Sequence, residues 1–398
     1  MQLKKTLLSA LALASTSLAI DCNKDAKISS DSDLQDLGSC STFKGDITIQ
    51  GDGVSEGTVS GLKKIEGSLI IKNATKLSKF TATDLEEISD KFDINVATIL
   101  NHLEMPKLEK VGKINWITLP ALSGLNFDKK VTDCKEVVIS DTGLNSLEGI
   151  NVEKIGTFNV NNNKYLEEVD VDVKSVSNSL DISFNAKQVS ASFPQLIWAN
   201  NITFRDVSDV YLPNLTDVNS SLGFINNTIK GIQCPKLKEL GGSLSIVSNE
   251  KLTNVSFPKL TKIDGGFQIA NNTKLKSILG FPKVKSVGGA IDFDGNFNAA
   301  QVPSLDLVKG GVHIDSKSDK FNCTSWDKKH KEGDIHGDSY VCKAKKHSTS
   351  VRLTGSNTAG SSDSEETGSS SSDGGAVAIS YEYSPVLGAF AAFLFQYV

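Results

Sequence analysis

The feature that most constrains this chain is an internal repeat. The stretch that starts at Gly241 reads GGSLSIVSNEKLTNVSFPKLTKI, and it is followed at Gly265 by GGFQIANNTKLKSILGFPKVKSV. Short segments of alternating apolar residues recur through the middle of the chain in steps of about 22 residues, which predicts a solenoid with one coil per repeat. The thirteen segments begin at Asp46, Ser68, Lys91, Ile114, Glu136, Thr157, Ser179, Asn201, Leu222, Ser243, Gly266, Ala290 and Gly311.

Each repeat contains a short strand with one inward face. Leu244 alternates with Ile246, and Ile291 alternates with Phe293 in a later repeat. One coil cannot bury its apolar face alone, so the coils must stack at about 4.8 Å per strand with their backbone groups paired. The pattern therefore predicts an all-β fold, a parallel β-helix or solenoid with coils of about 22 residues.

Two kinds of corner recur between the strands. Gly pairs precede the strand and predict a corner with a positive φ or a close backbone approach. A Pro, usually followed two residues later by Leu or Val, marks a second corner. The Gly pairs start at Gly241, Gly265, Gly288 and Gly310, and the Pro residues are Pro194, Pro213, Pro235, Pro258, Pro282 and Pro303.

A column of Asn side chains is expected inside the coil, where each amide can bond the backbone of its own coil and of the next. The predicted members are Asn163, Asn185, Asn227, Asn249, Asn272 and Asn296. Asn73, Asn226 and Asn271 come one position earlier, where the alternation points outward, and each begins an Asn-x-Ser/Thr motif. The sequence thus predicts an internal Asn ladder and an outer stripe that carries sugars.

Both ends of the chain carry processing signals. Lys4 and Lys5 precede an apolar run and then small residues, so residues 1–19 are predicted to be a signal peptide. Small residues, a polar spacer and the uncharged tail 386–398 have the order of a glycosylphosphatidylinositol (GPI) attachment signal. We expect lipid attachment at Ser372, Asp373 or Gly374 and removal of the tail, with 374–398 as the signal segment.

The sequence divides the chain into an ectodomain at 20–346 and a disordered Ser/Thr/Gly-rich stalk at 347–373. A division of the ectodomain into two halves near residue 134 remains open. The chain has eight possible N-glycosylation sites, which predict a glycoprotein in an exported chain. They are Asn73, Asn201, Asn214, Asn219, Asn226, Asn254, Asn271 and Asn322.

Six cysteines in an exported chain suggest disulfides. The terminal coils of a solenoid need caps, and a local bridge at each end would provide them, which favours the pairs Cys22–Cys40 and Cys323–Cys342. Cys134 and Cys234 are several coils apart, too far for a bond in a continuous solenoid. We expect no bond between them.

The entry segment LQDLGSCSTFKGDITI, with a short helix, a Cys and then the first strand, resembles the entry of the receptor L domain, a right-handed β-helix. With VVISDTGLNSLEGI, the FPKL corners, the Ser-rich stalk and the GPI signal, the whole chain resembles the fungal GPI-anchored cell-wall family of sporulation-specific and extracellular-matrix-mutant proteins. The resemblance implies a right-handed solenoid. It also implies a noncatalytic surface glycoprotein, at the plasma membrane outer leaflet or in the wall, that serves wall organisation, integrity and morphogenesis or spore-wall assembly.

An enzyme or glycan-binding module is the rival interpretation, because parallel β-helices can carry carboxylates on an outer face. Aligning AIDFD with GVHID places Asp292 beside His313 and Asp294 beside Asp315. Paired carboxylates could act as acid and base in glycoside hydrolysis. The simpler expectation is a solvated, charged strand near the C-terminal end, without the burial that shifts a carboxyl pKa.

The composition and the absence of certain motifs argue against several classes of partner and ligand. The chain is 39% hydrophobic and 22% charged with a net charge of −5, which gives no basic patch for nucleic acid. The sequence shows no zinc-type spacing, no phosphate loop and no nucleophile motif, so we expect no cofactor, metal or small-molecule substrate. Aromatic residues make up 7% of the chain and show no evident platform for carbohydrate. The expected partners are the membrane, through the GPI lipid, and wall glucan, mannoproteins or surface proteins.

Overall fold

The computed structural model describes residues 20–345 and 347–352. The predicted signal peptide at 1–19 and the predicted GPI attachment residues lie outside these residues. The helices are α1 (Asp31–Leu37) and α2 (Thr324–Glu332). Among the described residues, no helix has the length and the apolar character required to cross a bilayer.

The strands of the N-terminal half are β1 (Ala26–Ile28), β2 (Thr42–Lys44), β3 (Ile47–Gln50), β4 (Glu56–Val59), β5 (Lys64–Glu66), β6 (Leu69–Lys72), β7 (Lys79–Ala82), β8 (Glu87–Asn95), β9 (His102–Glu104), β10 (Lys110–Leu119), β11 (Asp133–Thr142), β12 (Lys154–Asn161), β13 (Glu168–Asp170) and β14 (Ser175–Ser183). They continue with β15 (Ser190–Ser192), β16 (Trp198–Ala199), β17 (Ile202–Arg205), β18 (Asp209–Tyr211), β19 (Asp217–Val218), β20 (Leu222–Ile225), β21 (Gly231–Gln233), β22 (Glu239–Leu240), β23 (Leu244–Val247) and β24 (Asn254–Ser256). The last ten are β25 (Lys262–Ile263), β26 (Phe267–Ala270), β27 (Ser277–Ile278), β28 (Ser286–Val287), β29 (Ile291–Gly295), β30 (Ala299–Ala300), β31 (Leu307–Val308), β32 (Val312–Ser316), β33 (Ser339–Ala344) and β34 (His347–Arg352).

These strands form a parallel β-solenoid of about 13 turns, with coils of about 22 residues, as the repeat predicts. Each of the thirteen alternating segments contributes a strand to one continuous face, which we call the front face. Its strands are β3, β6, β8, β10, β11, β12, β14, β17, β20, β23, β26, β29 and β32, with β1 added before them and β33 after them. The pairing runs in register through Val111 opposite Cys134, so the coil is unbroken at the position where a division into two halves was open.

The core lies between the strands of each coil. Leu244 and Ile246 are fully buried, and so are Ile291 and Phe293, which confirms the predicted alternation. Aromatic rings continue the packing from one coil to the next, as in Phe257 and Phe281, whose ring centroids are 5.1 Å apart. Because every coil lends its apolar face to its neighbours, no single repeat could be stable alone.

The Gly corners exist because the backbones of successive coils nearly touch there. A Cβ on Gly241 would lie 2.0 Å from the carbonyl oxygen of Asn219, and one on Gly288 would lie 2.1 Å from that of Asp264. Neither glycine has a positive φ. The sequence allowed two explanations for these glycines, a positive φ or a close backbone approach. The close backbone approach is the correct one.

A separate corner, at the end of the front-face strand, uses left-handed residues. In ten of the coils one residue has a φ between 50° and 60°, close to the ideal left-handed value. We call this set the left-handed column: Asn73, Val96, Thr118, Asp141, Asn162, Phe184, Asp206, Asn226, Ser248 and Asn271. The sequence does not predict this column, because its residue types have no common signature beyond a preference for Asn and Asp.

Each end of the solenoid is closed by a helix and a disulfide. Helix α1 begins with a capping box between Ser30 and Asp33 and buries Leu34 and Leu37. Helix α2 buries Trp326, whose indole N–H donates to the carbonyl of Ala300 at 2.9 Å. The bonded cysteine pairs are Cys22–Cys40 and Cys323–Cys342, the two that the sequence favours.

The final strand, β34, departs from the parallel pattern. It runs antiparallel to β33, so backbone pairing reaches Arg352. These six residues are the start of the segment 347–373 that the sequence assigns to a disordered stalk. Backbone pairing therefore extends past residue 346, because a polar segment pairs with the edge that β33 would otherwise leave open.

Candidate functional site

The four candidate residues stand on the front face near its C-terminal end. Strands β29 and β32 pair so that Asp292 lies opposite His313 and Asp294 lies opposite Asp315. The strands of a parallel pair are about 4.8 Å apart, so the two members of each pair lie on neighbouring coils at about this separation. The structure thus brings together all four residues that the sequence alignment places side by side.

Asp292 is buried, with 8% of its surface exposed. One carboxylate oxygen accepts a hydrogen bond from Nε2 of Gln268 at 3.0 Å, and the other lies 2.9 Å from Nδ1 of His313. The hydrogen bond to Asp292 raises the pKa of His313, against the opposing effect of burial. The expectation of a solvated strand is therefore wrong for Asp292, because it is enclosed by bonds to the coils on both sides.

Asp294 is half-buried, and burial raises the pKa of its carboxyl group. The neighbouring charges of Asp315 and Asp292 raise this pKa further, whereas Lys317 lowers it. A carboxyl group with a raised pKa beside a second carboxyl group is the arrangement that acid–base chemistry on a glycosidic bond requires. The expectation that burial would not shift a carboxyl pKa here is wrong.

The predicted ladder exists, and five of its six members are inside the coil. Asn163, Asn185, Asn227, Asn249 and Asn272 are buried. The amide of Asn249 donates to the carbonyl of Phe224 at 3.0 Å, and its oxygen accepts from the backbone N–H of Asn227 at 3.1 Å. The ladder begins at Thr142, whose hydroxyl donates to Asn163 at 2.6 Å. Its role is structural, because its polar atoms are used within the core.

Asn296 is exposed, so its assignment to the ladder is wrong. Strand β29 continues through Gly295, and neither Gly295 nor Asn296 has a positive φ. Without the left-handed corner the alternation continues, which turns Asn296 outward and Phe297 into the core.

None of the eight possible glycosylation sites is buried. Asn73, Asn226 and Asn271 are exposed and belong to the left-handed column, so they lie along one edge of the front face. Asn214 differs from them, because it is half-buried and its Nδ2 donates to the carbonyl of Pro194 at 2.7 Å. The attachment of sugars at these positions stays a prediction.

In the described part of the chain, three aromatic side chains are more than half exposed, although the sequence shows no evident platform. They are Tyr165 at 56%, Phe184 at 53% and Tyr211 at 55%. The ring of Phe184 also packs against the guanidinium group of Arg205, 5.2 Å from the ring centroid. One sequence signal points to this place, since Arg205 and Arg352 are the two arginines of a lysine-rich chain.

Cys134 and Cys234 are buried free thiols, as expected from their separation. Burial raises the pKa of Cys134 to about 11 and that of Cys234 to about 12. Such thiols are protonated at neutral pH and inert. Within residues 20–345 and 347–352, no group of three or more His, Cys, Asp or Glu side chains is arranged to hold a metal ion.

Comparison with curated proteins finds close fungal relatives. Cell wall mannoprotein PST1 of Saccharomyces cerevisiae is 42% identical over 323 residues, which cover 81% of this chain and 72% of that protein. Cell surface GPI-anchored protein ECM33 of Candida albicans is 35% identical over 364 residues, with 89% and 88% covered. Sporulation-specific protein 22 of Saccharomyces cerevisiae is 34% identical over 309 residues, with 77% and 67% covered. No family model and no solved structure matches the chain.

Proposed function

Because the chain belongs to the family of fungal GPI-anchored cell-wall proteins that includes PST1 and ECM33, we propose that it is a noncatalytic surface glycoprotein that organises the wall. Its place is the outer face of the plasma membrane and the cell wall. The proposed role covers wall organisation, integrity and morphogenesis, or assembly of the spore wall.

One structural observation carries the proposal. The front-face strands pair without a break from β1 to β33, so about 13 coils form a single rod roughly 60 Å long at about 4.8 Å per coil. A helix and a disulfide close each end of the rod. A stiff, capped rod is suited to hold wall components at fixed distances, whereas catalysis needs no such length.

The predicted ends fit this role. A GPI lipid would hold the C-terminal end at the membrane, and the predicted stalk would let the rod tilt and rotate. Sugars at Asn73, Asn226 and Asn271 would line one corner of the rod and leave its other surfaces open. In this arrangement, the partners are wall glucan, mannoproteins or other surface proteins.

The raised pKa of Asp294 and the buried Asp292–His313 pair favour a second candidate, a wall-polysaccharide hydrolase or binding module on the same face. The two candidate functions depend on different features of this face. A hydrolase needs the carboxyl groups themselves, whereas a rod needs only that the strands stay folded.

The test is complementation of a deletion strain of the source fungus with the full-length chain. Asp292→Asn and Asp294→Asn keep the size of the side chain but remove the ionisable group, and Asp209→Asn on another face is the matched control. The proposal expects all three variants to restore resistance to wall-perturbing dyes. Loss of rescue by Asp294→Asn alone, at normal surface level, together with cleavage of β-glucan by the wild-type chain, would establish the hydrolase instead.

A further inference from the structure

We propose that the front face around Phe184 and Arg205 binds a β-linked glucose polymer of the wall. This inference deepens the proposed wall function by naming a partner and the surface that takes it. The surface, called the Phe184 platform below, comprises Phe184 with the outward residues of three neighbouring coils. Those residues are Asn159 and Asn161 on β12, Asp181 and the buried Ser183 on β14, and Thr203 and Arg205 on β17.

The backbone conformation of Phe184 is unfavourable for a bulky residue, so folding does not explain why an aromatic side chain occupies this position. It has a φ of 54°, in a column whose other members are Asn, Asp, Ser, Thr and Val. A bulky residue at positive φ is a rare outlier, and strained residues of this kind cluster at functional sites. The ring is also 53% exposed, so burial of its surface does not compensate the strain. The position therefore favours Asn for folding, and the aromatic ring serves a purpose at the surface.

Arg205 holds one side of this ring. Its guanidinium group lies 5.2 Å from the ring centroid, within the range of a cation–π contact. Arg205 is half-buried at the end of β17 and has planar donors that can bond to hydroxyl groups. The ring supplies an apolar surface, and the guanidinium group supplies hydrogen-bond donors beside it.

The neighbouring polar groups are fixed by bonds to one another. Nδ2 of Asn161 donates to Asn159 at 2.7 Å, and Ser140 donates its hydroxyl to Asn161 at 2.7 Å. On the next coil, Asp181 stands opposite Asn159, and its Oδ1 is enclosed without a hydrogen-bond partner among the described residues. A buried acceptor of this kind is rare, and a small rotation of the carboxylate would present it to a hydroxyl donor.

Charge favours a neutral ligand. The single positive charge of Arg205 is set against Asp181 on the same face and Asp206, the next residue in the chain. A phosphate or sulfate group would meet two carboxylates and one cation here, so an anion gains little. A neutral molecule rich in hydroxyl groups can use the aromatic face, the amides and the guanidinium donors at once.

The shape favours a glucan over a mannan. A β-linked glucose ring carries its hydroxyl groups equatorially and presents flat C–H faces, which suit an aromatic ring, whereas the axial hydroxyl of mannose interrupts one such face. On the far side of Thr203 the front face continues with Gly223, which has no side chain and is itself buried.

The chain's own glycan is the competing occupant. Asn226 belongs to the same left-handed column as Phe184, two coils further on, and Asp206 lies between them. A sugar on Asn226 could fold back over the platform. Asn226→Gln removes this possibility and belongs in the test.

The experiment measures binding of the full-length, glycosylated chain in detergent to linear β-1,3-glucan and to α-mannan. We expect glucan binding that weakens at least tenfold in Phe184→Ala and clearly in Arg205→Lys, and no change in Tyr211→Ala, an aromatic of equal exposure elsewhere. Thermal unfolding of each variant shows that it is folded. Phe184→Asn, which the left-handed position favours, should also lose binding while unfolding no more easily than the wild type.

Several outcomes would overturn the inference. These are equal glucan binding by wild type and Phe184→Ala, binding of mannan alone, no binding at all, or glucan binding that appears only after Asn226→Gln. The wall function is tested separately, because failure of glucan binding with intact complementation removes this inference alone. Failure of the wild-type chain to complement removes the wall function, whatever the glucan result.

Discussion

Nδ1 of His313 lies 2.9 Å from Oδ1 of Asp292, across neighbouring coils and with only 12% of the Asp292 side chain exposed. The pair joins β29 to β32 by side chains as well as by backbone. Its hydrogen bond favours the charged form of the imidazole, so the pKa of His313 is raised above the ordinary value of 6.5.

This shift predicts a pH dependence of stability. A raised pKa in the folded state contributes stability that is complete below about pH 6.5, the unfolded value, and is lost as the pH rises through the folded pKa. Thermal unfolding of the wild type should therefore show a loss of stability above pH 6.5 that His313→Gln lacks. His102→Gln, which removes an imidazole whose carboxylate partner Glu104 is 36% exposed, is the control and should keep the wild-type slope. Identical slopes in all three proteins would contradict the prediction.

The ladder makes a second prediction. Asn249→Ala removes the donor to the carbonyl of Phe224 and the acceptor for the N–H of Asn227, both buried. Leaving two buried groups unpaired should lower the free energy of unfolding by about 2–4 kcal/mol. Asn296→Ala, at the exposed end of the same pattern, should change it by less than about 0.5 kcal/mol. Denaturant unfolding measures both, and equal effects would show that the ladder does not contribute as described.

The contrast between Asn249 and Asn296 shows which features of the fold could be predicted from the sequence. The period, the thirteen strands and the buried alternation were predictable, because each repeat restates them in its own residues. The adjacency of Asp292 and His313 was predictable for the same reason. Asn296 was not, since its direction depends on whether the preceding residue turns left-handed, and Gly295 permits both conformations.

The rarity of arginine singles out Arg205, but the rest of the Phe184 platform could not be predicted from the sequence, because its members come from three coils and share no motif. Their proximity follows from the register of β12, β14 and β17, which is fixed by the stacking of whole coils. The burial of Asp292 was missed for a related reason. The alternation of apolar residues predicts that a side chain points outward, but it does not predict how far the coils above and below bury that side chain.

The cysteines predict a labelling pattern. Cys134 and Cys234 are buried, and their raised pKa values of about 11 and about 12 leave almost no thiolate at pH 7.5. Iodoacetamide should label no cysteine in the native chain, two after denaturation, and the remaining four only after reduction. Mass spectrometry of the peptides identifies the sites. Label at either position in the native chain would mean that its coil opens on the time scale of the reaction.

The left-handed column predicts a stabilising substitution. Val96 has a φ of 58°, which is unfavourable for a β-branched residue. Val96→Asn should raise the free energy of unfolding by about 1 kcal/mol, because Asn tolerates this conformation. Val96→Thr keeps the branched Cβ and should gain little. If both variants unfold at the same denaturant concentration as the wild type, the strain at this corner is smaller than the backbone angle implies.

The predicted glycosylation sites should differ in occupancy, because they differ in what holds the amide nitrogen. Asn73 and Asn271 are exposed in the left-handed column, where a sugar can project from the corner. Asn214 is half-buried, its Nδ2 donates to the carbonyl of Pro194, and its oxygen accepts from Lys236 at 2.6 Å. A sugar on Nδ2 would replace one of its two hydrogens and would have to fit into this half-buried contact, which would destabilise the folded coil. Enzymatic deglycosylation in heavy-oxygen water followed by peptide mass spectrometry should therefore find Asn73 and Asn271 occupied and Asn214 largely free. Full occupancy of Asn214 would show that this coil folds around the sugar in another conformation.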